Sequence, residues 1–221
     1  MAGKIALVIG ATGLVGSQLV QLLLKDDRFS TIKVFSRRST GVQHSKLQEH
    51  IINFDRQNEW KHLITGDVAF SALGTTIKKA GSKEAQYKID HTYQYNFALA
   101  AAQNAVPVYV LVSSAMANEH SHIFYTRLKG ELERDVKKLP FANIHIIQPG
   151  ILVGDRKENR TGEKIGIKMV QLLNRIGIAK KQKPVHASIV AQAMINVSFR
   201  NNKKADVYTL LDVFKAAVKA E

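Results

Sequence analysis

Near its start the chain reads Lys4-Ile-Ala-Leu-Val-Ile-Gly10-Ala-Thr-Gly13-Leu-Val-Gly16, an apolar run that ends in three glycines spaced three apart. A helical pattern follows at once. A parallel strand buried on both faces reads as such an unbroken run, and a strand that turns directly into a helix opens a βαβ unit. Gly10 lets the chain turn sharply off the strand, and Gly13 lets the backbone come close to a bound group. Gly16 lets the first helix lie tight on the sheet. The free N–H groups at the helix start then face an anion, most often a dinucleotide pyrophosphate. The residues expected to line that anion are Gly10, Thr12, Gly13, Leu14 and Val15. Thr12 stands where the commoner fingerprint has its second glycine. The plainer alternative is an ordinary strand-to-helix turn that binds nothing.

Strand-like apolar runs at 4–9, 31–36, 49–53, 67–72, 107–113, 143–148 and 206–211 alternate with helical patterns at 14–25, 82–104, 122–138, 163–176, 187–199 and 212–220. Such alternation predicts an α/β fold, a doubly wound, Rossmann-like parallel sheet with helices on both faces and ligands outside the carboxyl ends of the strands. The length of 221 residues suits a single domain over 1–221. Segment 150–185, rich in Lys, Arg, Gly and Asn, interrupts the alternation. It is expected to form a small C-terminal cap beside the cofactor crevice and to carry substrate selection.

The net charge of +14 attracts anions, dinucleotides and nucleic acid alike. The basic pairs are scattered along the chain, and no helix–turn–helix, zinc-finger or RNA-recognition pattern accompanies them. A solvated basic surface is the favoured reading over a nucleic-acid site. The chain has no cysteine, which excludes disulfides, thiolate nucleophiles and cysteine-bound metals. His120 and His122 lack a third convergent ligand nearby, so no metal site is expected. No apolar run is long enough to span a membrane, and the first strand begins at Lys4 with no targeting segment before it. These features lead to the expectation of a cytoplasmic protein without membrane partners.

The second strand ends in Arg37-Arg38, with no acidic residue at that position. In dinucleotide folds this strand end meets the adenosine ribose. An acidic residue there binds the 2′-hydroxyl of NAD, whereas arginine accommodates the 2′-phosphate of NADP. NADP(H) is therefore expected over NAD(H), with either arginine as the phosphate ligand. Asp55 could accept a hydrogen bond from the adenine amino group, or could cap the short helix near Trp60. The fourth strand runs into Leu73-Gly74-Thr75, where the glycine would let the backbone pass close to the cofactor's ribose and phosphates.

The fifth strand ends in Ser113-Ser114, and the next helical pattern carries Tyr125 and Lys129, four residues apart and so on one face. Phe124, Leu128, Leu132 and Val136 form its apolar stripe. Tyr125 and Lys129 lie about 100° round from Phe124 and Leu128, at the rim of the core. A free tyrosine titrates near pKa ~10, too high for proton exchange at neutral pH, and a nearby ammonium stabilises the phenolate. The same lysine can hold the nicotinamide ribose, and a serine hydroxyl opposite can hold a carbonyl or alcohol oxygen. Tyr125 then gives or takes the proton while the nicotinamide carbon moves a hydride. A Tyr-x-x-x-Lys pair alone is weak evidence in a lysine-rich chain; its combination with Ser114 and the glycine turn is stronger.

With these residues in place the sequence resembles the short-chain dehydrogenase/reductase superfamily in its atypical branch. Within that branch it is similar to the HIV Tat-interactive protein oxidoreductase family. The similarity rests on Gly10-Ala-Thr-Gly-Leu-Val-Gly16, Ser36-Arg-Arg38, Leu73-Gly-Thr-Thr-Ile-Lys-Lys-Ala-Gly81, Ser113-Ser114, Tyr125-Thr-Arg-Leu-Lys-Gly-Glu131 and Gln148-Pro-Gly-Ile-Leu-Val-Gly-Asp-Arg156, over nearly the whole chain. It implies NADPH bound on a Rossmann-type sheet, with Ser114, Tyr125 and Lys129 as the active triad. It also implies that Pro149, Gly150 and Ile151 border the nicotinamide. Animal members carry an extra segment before the first strand and have been tied to nuclear import and transcription; this chain begins at the strand, which speaks for a compact stand-alone enzyme.

The expected function is thus an NADPH-dependent oxidoreductase acting on a small carbonyl or alcohol, as a monomer or homodimer. The main alternative is a non-catalytic NADP(H)-binding redox sensor. A nucleic-acid-binding module is a third class, motivated by charge alone.

Overall fold

The structure is a computed structural model and describes residues 3–154, 184–201 and 204–218. From the chain start, β1 (Lys4–Ile9) leads into α1 (Leu14–Leu24), and β2 (Phe29–Ser36) and β3 (Leu47–Ile51) follow. Short α2 (Gln57–Trp60) precedes β4 (Val68–Ser71), and α3 (Ile77–Ala80), α4 (Lys83–Tyr87) and α5 (Tyr93–Gln103) lead to β5 (Val108–Val112). Next come α6 (Phe124–Lys137), β6 (Asn143–Gln148), β7 (Leu152–Val153), β8 (Val185–His186), α7 (Ala187–Val197), β9 (Lys204–Thr209) and α8 (Leu211–Ala217).

Among the described residues, seven strands form one sheet in the order β3-β2-β1-β4-β5-β6-β9. Every pairing in it is parallel. The chain builds outward from β1 to β3, then returns to the other side of β1 with β4. The order therefore reverses between β1 and β4, and the crevice outside their carboxyl ends is where ligands bind in such sheets.

The inner strands are apolar because both of their faces are covered, whereas the edge strands β3 and β9 are only partly buried. Ala6 and Val8 of β1 point into a core with Leu19, Leu23, Val190 and Met194, from α1 and α7. Leu7 and Ile9, on the alternate positions, join a second core with Phe97, Ala101, Leu132 and Val136, from α5 and α6. The sheet is thus a doubly wound Rossmann-like layer, and the β1 and β6 limits match the sequence pattern residue for residue.

Some expectations are refined. The helix expected over 82–104 is divided: α4 and α5 are joined by a π-helical stretch at Lys88–Thr92. The pieces at Gln57–Trp60, Lys61–Leu63 and Ile77–Ala80 are too short to show a helical period. The expected strands 49–53 and 206–211 each begin two residues earlier, at Leu47 and Lys204. Strands β7 and β8 form a small separate parallel pair. Of the expected cap, residues 155–183, with the helix expected at 163–176, lie outside the described residues.

Candidate functional site

The glycine turn has the geometry of a cradle. Gly10 has φ +80°, and a Cβ there would overlap the backbone of Ala72 and Leu73 after β4. A Cβ at Gly16 would overlap the Gly10 carbonyl. The Gly13 amide donates to that carbonyl at 2.8 Å. Gly13 also occupies the N-cap position of α1, where no side chain satisfies the first amides of the helix. Those amides are left to solvent or to a ligand. Thr12 is exposed, Leu14 half-buried and Val15 buried. Leu14 also lies against Gly154, which sets the end of β7 over the first turn of α1.

The loop after β4 is the opposite lip of the crevice. Gly74 has open space where a Cβ would stand. Thr75 is anchored through both backbone groups: its amide donates to Asp90 Oδ1 at 2.7 Å, and its carbonyl accepts from Gln86 Nε2 at 3.2 Å. Thr76 caps α3 by accepting from the Lys79 amide.

At the end of β2, Arg37 and Arg38 are exposed. The Ser36 hydroxyl donates to the Arg38 carbonyl at 2.6 Å and fixes the turn. Glu49 of β3 continues it by accepting from the Ser39 hydroxyl and from the Thr40 amide and hydroxyl. Among the described residues, neither guanidinium has a hydrogen bond or ion pair with another side chain.

Asp55 sits beside the π-helical stretch. It accepts from Lys88 Nζ at 2.7 Å and the Tyr93 hydroxyl at 2.9 Å, and these bonds, Lys88 first, hold its carboxyl below the ordinary carboxylate range. It does not cap α2, whose N-cap position is Arg56 with no side-chain bond. The capping alternative is therefore set aside.

Ser114 follows the carboxyl end of β5, and Tyr125 and Lys129 lie on α6, the next helix. Ser113 continues the ladder by donating its amide to the Ile147 carbonyl at 2.8 Å. The Ala115 amide donates to the Pro149 carbonyl at 3.0 Å, which ties the Ser114 loop to the turn after β6. The Ser114 hydroxyl is half-buried and donates to the Ala115 carbonyl at 3.3 Å. On α6, Tyr125 is half-buried and Lys129 is 4% exposed, beside a stripe of Leu128, Leu132 and Val136. Pro149 is buried and Ile151 is 9% exposed, with its carbonyl accepting from the Val185 amide at 2.9 Å.

Gly130, next to Lys129, lets the loop after Ser114 approach α6. A Cβ there would overlap the backbone of Asn118 and Glu119, so the loop after Ser114 lies directly on α6.

Sequence reasoning missed a buried polar row. Gln86, Asp90 and Gln94 recur every four residues and are 3%, 1% and 0% exposed. Gln94 donates to the Asp90 carbonyl at 2.6 Å and accepts from the Ser71 hydroxyl at 2.7 Å. The signal was available: three polar residues at i, i+4 and i+8 on a face that should be apolar. Among the described residues, no group of three or more His, Cys, Asp or Glu could hold a metal ion. No helix of the described residues is long and apolar enough to cross a membrane.

Comparisons with known proteins agree with this architecture. Residues 5–120 match the family model described as semialdehyde dehydrogenase, NAD binding domain. Protein FMP52, mitochondrial, of Candida albicans is 36% identical over 195 residues, covering 86% of this chain and 85% of its own. Protein fmp52, mitochondrial, of Aspergillus niger is 33% identical over 201 residues, covering 87% and 86%. Among solved structures, MoeE5 in complex with UDP-glucose and NAD superposes with a TM-score of 0.67 at 15% identity, over 96% of this chain and 80% of that one. The Bordetella bronchiseptica enzyme WbmG in complex with NAD gives 0.68 at 13%, over 94% and 72%. At such identities the likeness is one of fold.

The chain belongs to the FMP52 family, and its first half carries a dehydrogenase-type, NAD-binding Rossmann domain. The relatives bear the name FMP52 and not that of the HIV Tat-interactive protein. The cytoplasmic expectation is corrected, because these relatives are named as mitochondrial. Absence of cysteine and of a membrane-spanning run carries no information about compartment.

Proposed function

We propose that this FMP52-family chain is an NADPH-dependent oxidoreductase of the atypical short-chain type that works on a small carbonyl or alcohol, with Tyr125 as general acid/base. The observation that carries this reading is the pairing on α6. A lysine whose stem is buried stands one turn from a half-buried tyrosine, beside the Ser114 loop. A lysine is rarely buried without a task or a partner.

The residues present fit a dinucleotide. The cradle at Gly10 and Gly16 leaves no room for a Cβ, and the α1 amides have no side-chain cap. Gly10, Thr12, Gly13, Leu14 and Val15 would hold the pyrophosphate, and Leu73, Gly74 and Thr75 the adjoining ribose. Arg37 or Arg38 would hold the 2′-phosphate, which favours NADPH over NADH. Asp55 would meet the adenine edge, and Pro149 and Ile151 would border the nicotinamide. When bound, NADPH supplies the hydride. Tyr125 passes its phenolic proton to the substrate oxygen as the carbonyl is reduced, and takes it back in the reverse direction. Lys129, one turn from Tyr125 on α6, would hold the ribose hydroxyls. The Ser114 hydroxyl orients the substrate oxygen. Like its named relatives, the protein would work in the mitochondrion.

A panel of aldehydes, ketones and quinones incubated with NADPH tests the reading by loss of nicotinamide absorbance. Turnover that is abolished in Tyr125→Phe with cofactor affinity kept supports it. Tight NADPH binding without turnover on any member of the panel would favour a redox sensor.

A further inference from the structure

We propose that Glu133 is a positioning residue: its carboxylate holds the side-chain amide of Gln148, and so fixes the turn after β6 against the helix that carries Tyr125 and Lys129. The inference rests on the reading of those two residues given above and adds a third to it.

Tyr125, Lys129 and Glu133 stand four residues apart along α6 and share one face of it. Glu133 is 4% exposed. A buried carboxylate is costly unless donors meet its oxygens. Gln148 Nε2 meets both, donating to Oε1 at 2.9 Å and to Oε2 at 3.1 Å. Lys137, the next residue of the same row on α6, brings its ammonium to 3.9 Å from Oε2 and balances the charge.

The partner is as much out of pattern as the carboxylate. Ile144 and Ile146 of β6 share a core with Leu132 and Val136 of α6. Alternation along the strand gives that face its next side chain at 148, where a half-buried glutamine stands in place of an apolar residue. Two polar residues, one on each element, thus answer each other at positions the core would otherwise fill with carbon. A buried polar pair that is fully satisfied fixes one geometry where an apolar contact could slide.

Gln148 is also the last residue of β6. Its carbonyl accepts from the Leu210 amide at 3.3 Å, the Pro149 carbonyl from the Ala115 amide at 3.0 Å, and the Ile151 carbonyl from the Val185 amide at 2.9 Å. The backbone of this turn is therefore tied to the start of α8, to the Ser114 loop and to β8, while the Gln148 side chain carries its hydrogen bonds to α6. Through Gln148 and Pro149, Glu133 is linked to the loop of Ser114 as well as to the turn read above as the nicotinamide border.

Amide hydrogen exchange, followed by NMR on the intact chain without cofactor, tests the link. Glutamine at 133 offers one oxygen and turns a second amide towards Gln148. Glu133→Gln should therefore speed exchange at the Ala115 amide by about tenfold or more, while the Thr75 amide on the other lip of the crevice keeps its wild-type rate. Glu133→Gln combined with Gln148→Glu reverses the pair and should bring Ala115 back to within about threefold of wild type. Gln148→Met removes the same bonds from the other side and should act as Glu133→Gln does; should one single variant not fold, the other decides. An Ala115 amide that keeps its wild-type rate, equal speeding at Thr75, or no recovery in the reversed pair would overturn the proposal. Turnover gives a second reading. In Glu133→Gln, kcat at saturating NADPH should fall by about tenfold or more with near-normal cofactor affinity, and should recover in the reversed pair; an unchanged kcat refutes the role. A wild-type chain without turnover on any substrate would remove the acid/base reading while leaving the exchange result intact.

Discussion

Gly130 of α6 lies so close to the backbone of Asn118 that a side chain at 130 would overlap it. The contact sets the loop after Ser114 against the helix that carries Tyr125 and Lys129. Alanine is a better helix former than glycine by about 1 kcal/mol, so Gly130→Ala would stabilise an isolated α6. Here the opposite sign is expected: a lower Tm and a loss of turnover larger than the loss of NADPH affinity. Thermal unfolding and steady-state kinetics on the same variant check both.

Gly10→Ala should weaken the fold by roughly 1–3 kcal/mol, the cost of a strained left-handed residue, and more if Ala72 cannot move. Its φ of +80° and the overlap with the Ala72 and Leu73 backbone both act against a side chain. Cofactor binding should be lost even in the folded fraction. Denaturant unfolding and calorimetry separate the two effects.

Replacing both Arg37 and Arg38 with alanine should weaken NADPH by about ten- to a hundredfold, the value of one or two charge-assisted bonds. NADH should change little. Equal losses for the two cofactors would remove the arginines from phosphate recognition.

Tyr125→Phe should lower kcat by at least about 10²-fold, the usual value of a positioned acid/base. Calorimetric NADPH affinity should stay near that of the wild type.

Stability should fall with acid because of His145. Burial in β6 pushes its imidazole down to about 4, from an ordinary 6.5. Well above pH 6.5 neither the folded nor the unfolded state binds this proton, and the stability is full. As pH drops towards about 4 the unfolded imidazole takes the proton first and stability is lost. The loss between pH 7 and pH 5 comes to about 2 kcal/mol by linkage. His145→Gln should flatten this dependence in denaturant titrations. Carboxylates held low, such as Asp135 beside Arg134 and Lys138, act at more acid pH, and His50, also held below its ordinary value by burial, adds to the loss in the same direction.

The sheet was legible because strands buried on both faces must be apolar without interruption. Runs such as Lys4–Ile9 and Asn143–Gln148 leave little freedom in their limits. The glycine turn was legible because Gly10 and Gly16 answer to backbone contacts that admit no side chain. Tyr125 and Lys129 could be paired from spacing alone. The anchoring of the other lip of the crevice could not be read, because it runs from Asp90 and Gln86 to Thr75, fifteen and eleven positions away, across a π-helical turn. A helical period is blind to that turn. The fit between Gly130 and Asn118 was hidden for the same reason: a glycine inside a helix says that something comes close, not what. Compartment was not legible at all, and the names of the relatives overturned the expectation drawn from composition.

Calorimetric titration of the intact chain with NADPH, NADP⁺, NADH and NAD⁺ tests the account most directly. Saturable binding of one molecule per chain is predicted, tighter for the 2′-phosphorylated pair and abolished by Gly10→Ala. Absence of heat with all four dinucleotides, at concentrations where the folded chain is intact, would contradict it.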